Sequence, residues 1–435
     1  MIPDAVARAQ TSNDVLEAIA LAAGSGTTVT PAGSQTSMTA ASITDRGILL
    51  SLAGMNRVLA VDVARRIARV EPGVTIGQLN RELASTGLMF APDPTSENDA
   101  TIGGAIACNA SGARSLYYGA TRRHVDAVRV AHADGTLAEY RRSHPEKNTV
   151  GYAGVQDPVD WFVGSEGTLG VVVEAEVSLV PSPVSPLGLA IPFAEEKAAL
   201  DFVVAAREGK ASRNARCLEY FDKAALGIAA KSVGAPWAAE ANALIYLEDD
   251  AGEGGSADAM LSGWLETAEN HGGLTDDIRA FEGAQPLRDA RVMRHSVPAT
   301  MNERGAAQRK NGGRKVSTDW AVPYARLSEA LEASRNAIER SGAPSPVTYG
   351  HAGNGHPHQN FIAEDREALE RIQRAIEETL HCVLSMGGTV SAEHGLGKLK
   401  QSWLALQLSP RQIAVMRAMK NTLDPAGIFS PGNVL

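Results

Sequence analysis

Three short glycine-rich segments, each beside a predicted strand, constrain the fold of the N-terminal part of the chain more than any other feature. They are residues 31–39, 101–112 and 164–170, which read PAGSQTSMT, TIGGAIACNASG and GSEGTLG. Such loops present backbone N–H groups and hydroxyls to an anion. One loop alone is as consistent with an ordinary turn, whereas three in one region indicate a large ligand with phosphates and a planar ring. The sequence contains neither GxGxxG nor GxxxxGK[ST], so neither the usual dinucleotide-binding fold nor a P-loop is predicted.

Histidine is concentrated in two short tracts of the C-terminal half of the chain. The tracts are GHAGNGHPHQN and EHGLGK, which contain His351, His356, His358, Glu393 and His394. Imidazole and carboxylate groups on a chain bent by glycine are typical ligands of a borderline divalent metal, with a further histidine left for proton transfer. A purely structural histidine cluster is the alternative interpretation.

Length and composition limit the possible classes of protein. A chain of 435 residues exceeds the usual size of a single hydrophobic core, so two domains are predicted. The net charge of −9 argues against a nucleic-acid-binding protein and against a polybasic membrane anchor. Three dispersed cysteines, Cys108, Cys217 and Cys382, form no CxxC motif and are expected to be free thiols. Without an apolar signal region or an integral membrane segment, the protein is expected to be cytoplasmic, with membrane attachment only through a partner.

Turn and capping signals divide the chain into two regions. Residues 1–182 alternate strands with helices, including a predicted hairpin at Asp134-Gly135 and a helix capped by Thr75. The proline-rich segment 181–188 is a natural boundary. Beyond it, a strand-helix-strand rhythm predicts an antiparallel sheet with helices packed on one face.

A series of motifs then makes the chain resemble a known family. The motifs are PAGSQTS at 31–37, VEPGVTIGQLN at 70–80, DPTS at 93–96, ATIGGAIACNASGARSLYYG at 100–119, GSEGTLGVV at 164–172, KVSTDWAVP at 315–323, YGHAGNGHPHQN at 349–360, EHGLGK at 393–398 and LDPAGIFSPGN at 423–433. In this order they resemble the FAD-linked oxidoreductases of the vanillyl-alcohol-oxidase type, in the branch that oxidises D-2-hydroxy acids. The series covers the chain nearly end to end, so it is far more specific than any single motif.

The resemblance implies an α+β fold with a bipartite FAD-binding domain and a cap domain whose antiparallel sheet is covered by helices. The implied boundaries are 1–182 for the FAD domain, 189–405 for the cap domain and 406–435 for a C-terminal helix and tail that return to the FAD domain. The implied FAD contacts are Ala32, Gly33, Ser34, Gln35, Thr36, Ser37, Pro94, Thr101, Gly103, Gly104, Asn109, Ser111, Gly112, Tyr118, Gly167, Thr168, Gly170 and Asn433. No histidine lies in 31–40, so non-covalent FAD is expected, with Cys108 as the remaining candidate for a covalent link.

The resemblance also implies the residues that carry the chemistry. The metal ligands would be His351, His358 and Glu393, holding zinc or manganese, and His394 would be the base. The substrate carboxylate would be oriented by Arg294, Lys315 and Asn360.

This chain departs from the family pattern H-x-G-D-G-N-x-H, since Asn354 replaces Asp and His356 replaces Asn. In a single ideal strand His351 does not share a face with His356 or His358, so the glycines and Pro357 are expected to bend the chain. His356 is predicted to be either an extra metal ligand or a contact to the substrate.

The implied reaction is FAD-dependent oxidation of a D-2-hydroxy acid to the 2-oxo acid. Members that favour dicarboxylates have Thr four residues after the arginine, whereas Pro298 stands there in this chain, which favours D-lactate or glycolate over D-2-hydroxyglutarate. The electron acceptor would be a quinone, a cytochrome or an electron-transfer flavoprotein, and the resemblance is compatible with a homodimer. The alternatives are an oxidoreductase of sugar lactones or alcohols and a non-catalytic FAD-binding subunit of a larger dehydrogenase.

Overall fold

The computed structural model describes residues 1–209, 215–232, 234 and 236–435. The chain divides into two compact units. The first unit consists of residues 1–112, 118–182 and 393–435, and the second of residues 113–117 and 183–392. In the part of the chain that the structure describes, no helix is both long and apolar enough to cross a membrane.

Up to residue 182 the chain alternates short strands and helices. The strands are β1 (Ala5–Arg8), β2 (Val29–Ala32), β3 (Ile48–Ser51), β4 (Val58–Asp62), β5 (Ile67–Val70), β6 (Leu88–Met89), β7 (Val125–Ala131), β8 (Leu137–Arg141), β9 (Val171–Ser178) and β10 (Val180–Pro181). The helices are α1 (Ser12–Ser25), α2 (Ile76–Leu83), α3 (Ile102–Cys108), α4 (Ser115–Tyr118) and α5 (Ala153–Gln156).

The first unit contains two principal sheets. A parallel sheet has the order β1-β3-β2, and an antiparallel sheet has the order β4-β5-β9-β7-β8. The predicted hairpin at Asp134-Gly135 joins β7 to β8, and Gly135 has a φ of 80°, which a residue with a side chain rarely adopts. Helix α1 begins with a capping box between Thr11 and Asp14 and packs Val15 into the core of the parallel sheet.

The second unit is built on one antiparallel sheet. Its strands are β11 (Pro186–Phe193), β12 (Cys217–Asp222), β13 (Ala243–Asp250), β14 (Arg279–Glu282), β15 (Arg314–Ser317), β16 (Val347–His351) and β17 (His356–Ala363), in the order β14-β11-β13-β12-β16-β17-β15. Its helices are α6 (Glu196–Glu208), α7 (Lys223–Ser232), α8 (Ala257–Asn270), α9 (Ala284–Ala307), α10 (Leu327–Ser341) and α11 (Arg366–Ser385). Helices α12 (Leu404–Gln407) and α13 (Pro410–Leu423) follow in the first unit.

Helices cover both faces of this sheet, so the prediction of helices on one face is wrong. Adjacent strand residues point to opposite faces. Phe221 packs in the same core as Met293 of α9, whereas the hydroxyl of the preceding Tyr220 donates a hydrogen bond to Glu196 of α6 at 2.6 Å. The α9-covered face is called the α9 face below.

The segment 393–405 lies in the first unit, although the sequence prediction assigned it to the cap domain. Within the first unit, the Glu166 carboxylate accepts hydrogen bonds from the backbone N–H groups of Leu396 and Gly397, each at 2.8 Å. The hydroxyl of Thr39 also donates to the carbonyl of His394 at 3.3 Å. These bonds hold the segment to the glycine-rich loops, which explains the position of the boundary.

Candidate active site

The first glycine-rich loop follows β2 and has backbone N–H groups available to an anion. Among the described residues, none of the N–H groups of residues 34–37 donates a hydrogen bond within the protein. Gln35 adopts a left-handed φ of 57°, which turns the chain in the middle of this row of donors. Adjacent N–H groups in a turned segment form a concavity suited to phosphate oxygens, so the loop fits the pyrophosphate of FAD.

Glycines of the first and second glycine-rich segments are required by close packing within the unit. A Cβ on Gly33 would lie 2.2 Å from Oγ1 of Thr101, whose hydroxyl also caps α3 by accepting from the Gly104 N–H at 3.2 Å. A Cβ on Gly112 would lie 2.2 Å from the carbonyl oxygen of Asp93. These contacts exclude a side chain at both positions.

Asn109 and Asn433 both use side-chain atoms to join segments of the first unit. Asn109 ends α3 in a left-handed conformation, and its Oδ1 accepts from the Arg122 N–H at 2.9 Å. The Asn433 amide donates to the carbonyls of Ala41 and Glu166 at 2.8 and 3.1 Å, and its oxygen accepts from the Lys398 ammonium at 2.7 Å. A direct contact of either side chain with FAD stays a prediction.

Glu166 is the residue of the third loop that sequence reasoning missed. It is 6% exposed, and burial raises the pKa of its carboxyl against the opposing effect of the hydrogen bonds from Gly397 and Leu396. The loop is left-handed at Glu166 and Gly167, with φ of 51° and 70°. Burial, followed by the nearby charge of Glu166, raises the pKa of the Cys108 thiol to about 12, which disfavours the thiolate that a covalent link would need.

The predicted base and the predicted carboxylate ligand lie side by side in the first unit. Nε2 of His394 lies 3.7 Å from Oε1 of Glu393. The other Glu393 oxygen accepts a hydrogen bond from the Ser111 hydroxyl at 3.2 Å. The FAD-contact segment 101–112 and the tract 393–398 therefore meet at this pair.

The three histidines of the tract 349–360 lie on one face of a hairpin formed by β16 and β17. His351 is the cross-strand partner of His356, and Tyr349 is the partner of His358. Gly355, with a φ of 66°, closes the turn, and a Cβ there would lie 1.9 Å from the carbonyl oxygen of Val322. Cross-strand partners share a face. His351 therefore joins the other two because the chain reverses, and the expectation of a bend within one strand is corrected.

The three imidazoles are buried and in mutual contact. Their ring centroids are 5.4 Å apart for His351 and His356, 5.1 Å for His351 and His358, and 4.6 Å for His356 and His358. They are exposed by 6%, 4% and 8% in chain order. One nitrogen from each ring lies within 4.8 Å of one nitrogen from each of the others. A cluster of this kind fits a divalent cation, because neutral imidazole is a ligand of zinc and similar metals.

A buried carboxylate holds one of these rings. Oε1 of Glu219 lies 2.7 Å from Nδ1 of His351, and Oε2 lies 3.0 Å from Nε of Arg294. Burial would raise the pKa of Glu219, but the charges of His351 and Arg294 and the hydrogen bond from His351 hold that pKa at about 2. With Nδ1 donating to Glu219, Nε2 is the nitrogen that His351 would present to a metal. The tract around Glu219 gave no sequence signal.

The predicted substrate residues lie on the same unit, and two of them share the histidine face. Ser317 is the cross-strand partner of Asn360, so Lys315, two residues earlier, lies on the face that carries Asn360 and His358. The Asn360 amide bonds the Tyr349 hydroxyl at 2.7 Å, while its Oδ1 is buried without a hydrogen bond from any described residue. The Lys315 ammonium donates to Asn302 at 2.6 Å, and burial lowers its pKa.

Arg294 lies on α9 with its Nε beside Glu219, a contact that the sequence prediction did not anticipate. Its role toward a substrate carboxylate stays a prediction. Pro298, one turn later, lies inside α9 and has no N–H to donate to the helix.

Family comparisons agree with these features of both units. Residues 3–141 match the family described as "FAD binding domain", and residues 188–434 match "FAD linked oxidases, C-terminal domain". The chain belongs to the FAD linked oxidase family. It is an FAD-dependent oxidoreductase, and the resemblance drawn from the sequence motifs is confirmed.

Several curated relatives align with this family member over most of its length. Glycolate oxidase subunit GlcD of Bacillus subtilis is 30% identical over 100% of this chain and 89% of its own. The D-lactate dehydrogenase of Archaeoglobus fulgidus is 32% identical over 90% of this chain and 82% of its own. The D-2-hydroxyglutarate dehydrogenase of Stutzerimonas stutzeri is 28% identical over 93% of this chain and 85% of its own.

Solved structures with the same fold confirm the predicted α+β class. The structure of p-cresol methylhydroxylase with bound substrate matches with a TM-score of 0.75 at 17% identity, over 99% of this chain and 88% of that one. An alkyldihydroxyacetonephosphate synthase matches with a TM-score of 0.72 at 17% identity, over 98% of this chain and 76% of that one.

Proposed function

We propose that this FAD linked oxidase oxidises a small D-2-hydroxy acid to the corresponding 2-oxo acid. The observation that carries the proposal is the α9 face of the second unit, where buried imidazoles lie on the same side of the sheet as Asn360 and Lys315. A 2-hydroxy acid carries a carboxylate that matches a cation and a hydroxyl that matches a metal or an imidazole. Relatives named for glycolate, D-lactate and D-2-hydroxyglutarate support the same substrate class.

Each polar group has a distinct part in the proposed reaction. The Lys315 ammonium binds the substrate carboxylate, because among the described residues its hydrogen-bond partner is the neutral Asn302 and no carboxylate pairs with it. Asn360 offers the substrate a buried amide oxygen. Arg294 contributes positive charge from α9. His394 accepts the proton of the α-hydroxyl, and Glu393 beside it stabilises the charged imidazole.

The metal ligands that we propose are His351, His358 and Glu393. The donor set of imidazole and carboxylate suits zinc or manganese. When bound, such a metal lowers the pKa of a coordinated hydroxyl. The chain's own contribution is to bury the imidazoles and to fix the tautomer of His351 through Glu219.

FAD supplies the two-electron acceptor for the Cα hydrogen when it is bound. The first unit would hold its pyrophosphate on the backbone N–H groups of residues 34–37, without a covalent link. The electrons would pass on to a quinone, a cytochrome or an electron-transfer flavoprotein. Pro298 in place of a polar threonine favours a short side chain, and hence D-lactate or glycolate over D-2-hydroxyglutarate.

The deciding experiment mixes the purified flavoprotein anaerobically with D-lactate, glycolate, D-malate and D-2-hydroxyglutarate while the visible flavin absorbance is followed. Rapid bleaching by a D-acid and not by its L-isomer is expected, since hydride transfer reduces the flavin. Protein that carries FAD but is bleached by none of these acids would contradict the substrate class. It would then favour an oxidoreductase of lactones or alcohols, or a non-catalytic subunit.

A matched pair of variants tests the proposed base. His394→Ala is expected to retain FAD but to lose flavin reduction by at least a hundredfold, which is the usual contribution of a general base. His381→Ala, at an exposed position of α11, is the control and is expected to react normally. An unchanged rate of flavin reduction in His394→Ala would show that His394 is not the base.

A further inference from the structure

His356 belongs to the histidine cluster although the family pattern has asparagine at its position. It is the cross-strand partner of His351 and lies two residues from His358 on β17. Its ring centroid is 4.6 Å from that of His358 and 5.4 Å from that of His351. The backbone pairing of β16 and β17 therefore places the imidazole of His356 beside those of His351 and His358.

The ring of His356 has a polar atom that the protein leaves without a hydrogen bond. The residue is 4% exposed, and its Nε2 is buried with no hydrogen-bond partner among the described residues. The nearest carboxylate oxygen, Oδ1 of Asp319, lies 3.4 Å away without hydrogen-bond geometry. A buried imidazole that lacks a full set of partners is unfavourable unless something else binds it, and a cation would do so.

The charges around His356 favour a cation over a bound anion or an apolar ligand. Asp319 is fully buried beside its ring, and Oδ2 of Asp319 accepts a hydrogen bond from the Ser391 hydroxyl at 2.6 Å. Glu219 is also buried, and it bonds Nδ1 of His351. Both carboxylates add negative charge beside the cluster, and the one at Nδ1 of His351 is the usual support of a metal-bound histidine.

We propose that His356 is a third imidazole ligand, so that His351, His356 and His358 together hold the metal. This inference rests on the metal site of the proposed function but not on the choice of substrate. A site with three imidazoles prefers zinc, cobalt or nickel, whereas manganese prefers oxygen ligands. The replacement of asparagine by His356 therefore makes the site selective for zinc over manganese.

The test compares the wild-type holoenzyme with His356→Asn, which restores the family residue. Both proteins are freed of metal with a chelator and then loaded with Zn²⁺ or Mn²⁺. X-ray absorption at the zinc edge is expected to count three imidazoles in the wild type and two in the variant. Equilibrium dialysis is expected to show at least a tenfold loss of Zn²⁺ affinity with a smaller loss for Mn²⁺, so that the ratio of the two affinities falls.

Two further variants separate loss of a ligand from loss of structure. His271→Asn removes a histidine whose Nδ1 bonds the Thr267 carbonyl at the end of α8, and it should leave both affinities unchanged. His356→Gln is a second replacement at the same position, and FAD content and melting temperature report whether either His356 variant is folded. Two imidazoles in the wild type, or an unchanged Zn²⁺ to Mn²⁺ ratio in folded His356→Asn, would overturn the proposal.

The metal readout is independent of the substrate assignment. If three imidazoles bind zinc but no 2-hydroxy acid reduces the flavin, His356 is a metal ligand and the proposed function is overturned. Reduction by a 2-hydroxy acid in a protein that binds zinc through two imidazoles would support the proposed function and overturn the assignment of His356 as a ligand. A wild type that binds neither metal would overturn this inference together with the metal part of the proposed function.

Discussion

Glu219 accepts a hydrogen bond from Nδ1 of His351 at 2.7 Å, and this bond connects a central strand of the sheet to the proposed metal site. The second oxygen of the same carboxylate lies 3.0 Å from Nε of Arg294 on α9. The carboxylate is thus held between two partners that approach from different elements. A proton on Nδ1 fixes the tautomer of His351, so Glu219 acts on the metal through that ring and is a positioning residue.

Glu219→Gln is expected to weaken metal binding tenfold to a hundredfold, because a neutral amide orients and polarises the imidazole less well than a carboxylate. The measurement is equilibrium dialysis with Zn²⁺, with FAD content as the check on folding. Glu219→Asp, which keeps the charge but shortens the side chain, should recover part of the affinity. Unchanged Zn²⁺ affinity in folded Glu219→Gln would show that the carboxylate does not act through His351.

The matched control for Glu219 is Glu248, a carboxylate on the neighbouring strand β13 that is also buried and ion-paired. Glu248 bonds Nε of Arg114 at 2.8 Å and does not contact a histidine among the described residues. Removing one partner of a buried pair costs about 3–5 kcal/mol. Glu248→Gln should therefore lower the melting temperature and leave Zn²⁺ affinity unchanged in the folded protein.

The acid stability of the second unit should depend on Glu248. Burial would raise its pKa, but the charge and hydrogen bond of Arg114, the charge of Arg216 and the Tyr246 hydroxyl hold that pKa at about 2, below the ordinary value of 4.5. The ionised form therefore stabilises the fold fully above about pH 4.5, and this contribution is lost as the pH falls toward 2.

The measurement is the melting temperature as a function of pH between about 2 and 5, a window that covers the folded and ordinary pKa values of Glu248. The wild type should lose melting temperature more steeply toward low pH than Glu248→Gln, so the difference between the two proteins should shrink. A difference that stays constant across this window would show that folding does not lower the pKa of Glu248.

The sequence predicted the elements that rest on local chemistry. The hairpin at Asp134-Gly135 formed because glycine supplies the positive φ that the turn needs. The cap at Thr75 begins α2 because its hydroxyl accepts from the Gln78 N–H. The histidine tract was found because three imidazoles within eight residues rarely occur without a function.

The features that were missed depend on contacts distant in the sequence. Glu219 lies 132 residues from His351, and Glu166 lies 230 residues from Leu396, so no local pattern reports either contact. The helices on both faces of the sheet did leave a signal. Strand β11 is almost continuously apolar and buried, and β13 begins with the buried apolar run ALIYL, which is typical of strands covered on both sides.

Lys315→Met is expected to raise KM for the 2-hydroxy acid at least tenfold with a smaller effect on kcat, because the ammonium binds the carboxylate before and after the reaction. Methionine keeps the length and apolar stem of the side chain, so FAD content should be retained. Lys197→Met is the control, since Lys197 is an exposed residue that pairs with Asp201 on α6. A KM equal to that of the wild type would exclude Lys315 from the carboxylate site.

The same residue predicts a pH dependence of substrate binding. Burial lowers the pKa of Lys315, so its charge is lost at a lower pH than that of an exposed lysine. KM should therefore rise on the alkaline side of neutrality in the wild type and should be flat there in Lys315→Met. An alkaline rise of equal size in both proteins would assign that titration to another group.

Gly112→Ala is expected to reduce FAD content, because the new Cβ would lie 2.2 Å from the carbonyl oxygen of Asp93 and 2.7 Å from its Oδ1. A contact this short with a backbone atom forces one of the two segments to shift, and overpacking of this kind costs about 1–3 kcal/mol. Gly24→Ala is the matched control: Gly24 lies inside α1, a Cβ there meets no atom within 4 Å, and alanine favours the helix by about 1 kcal/mol. The ratio of flavin to protein absorbance and the melting temperature should fall in Gly112→Ala and should hold or rise in Gly24→Ala. Unchanged FAD content and melting temperature in Gly112→Ala would show that the 101–112 segment tolerates the contact with Asp93.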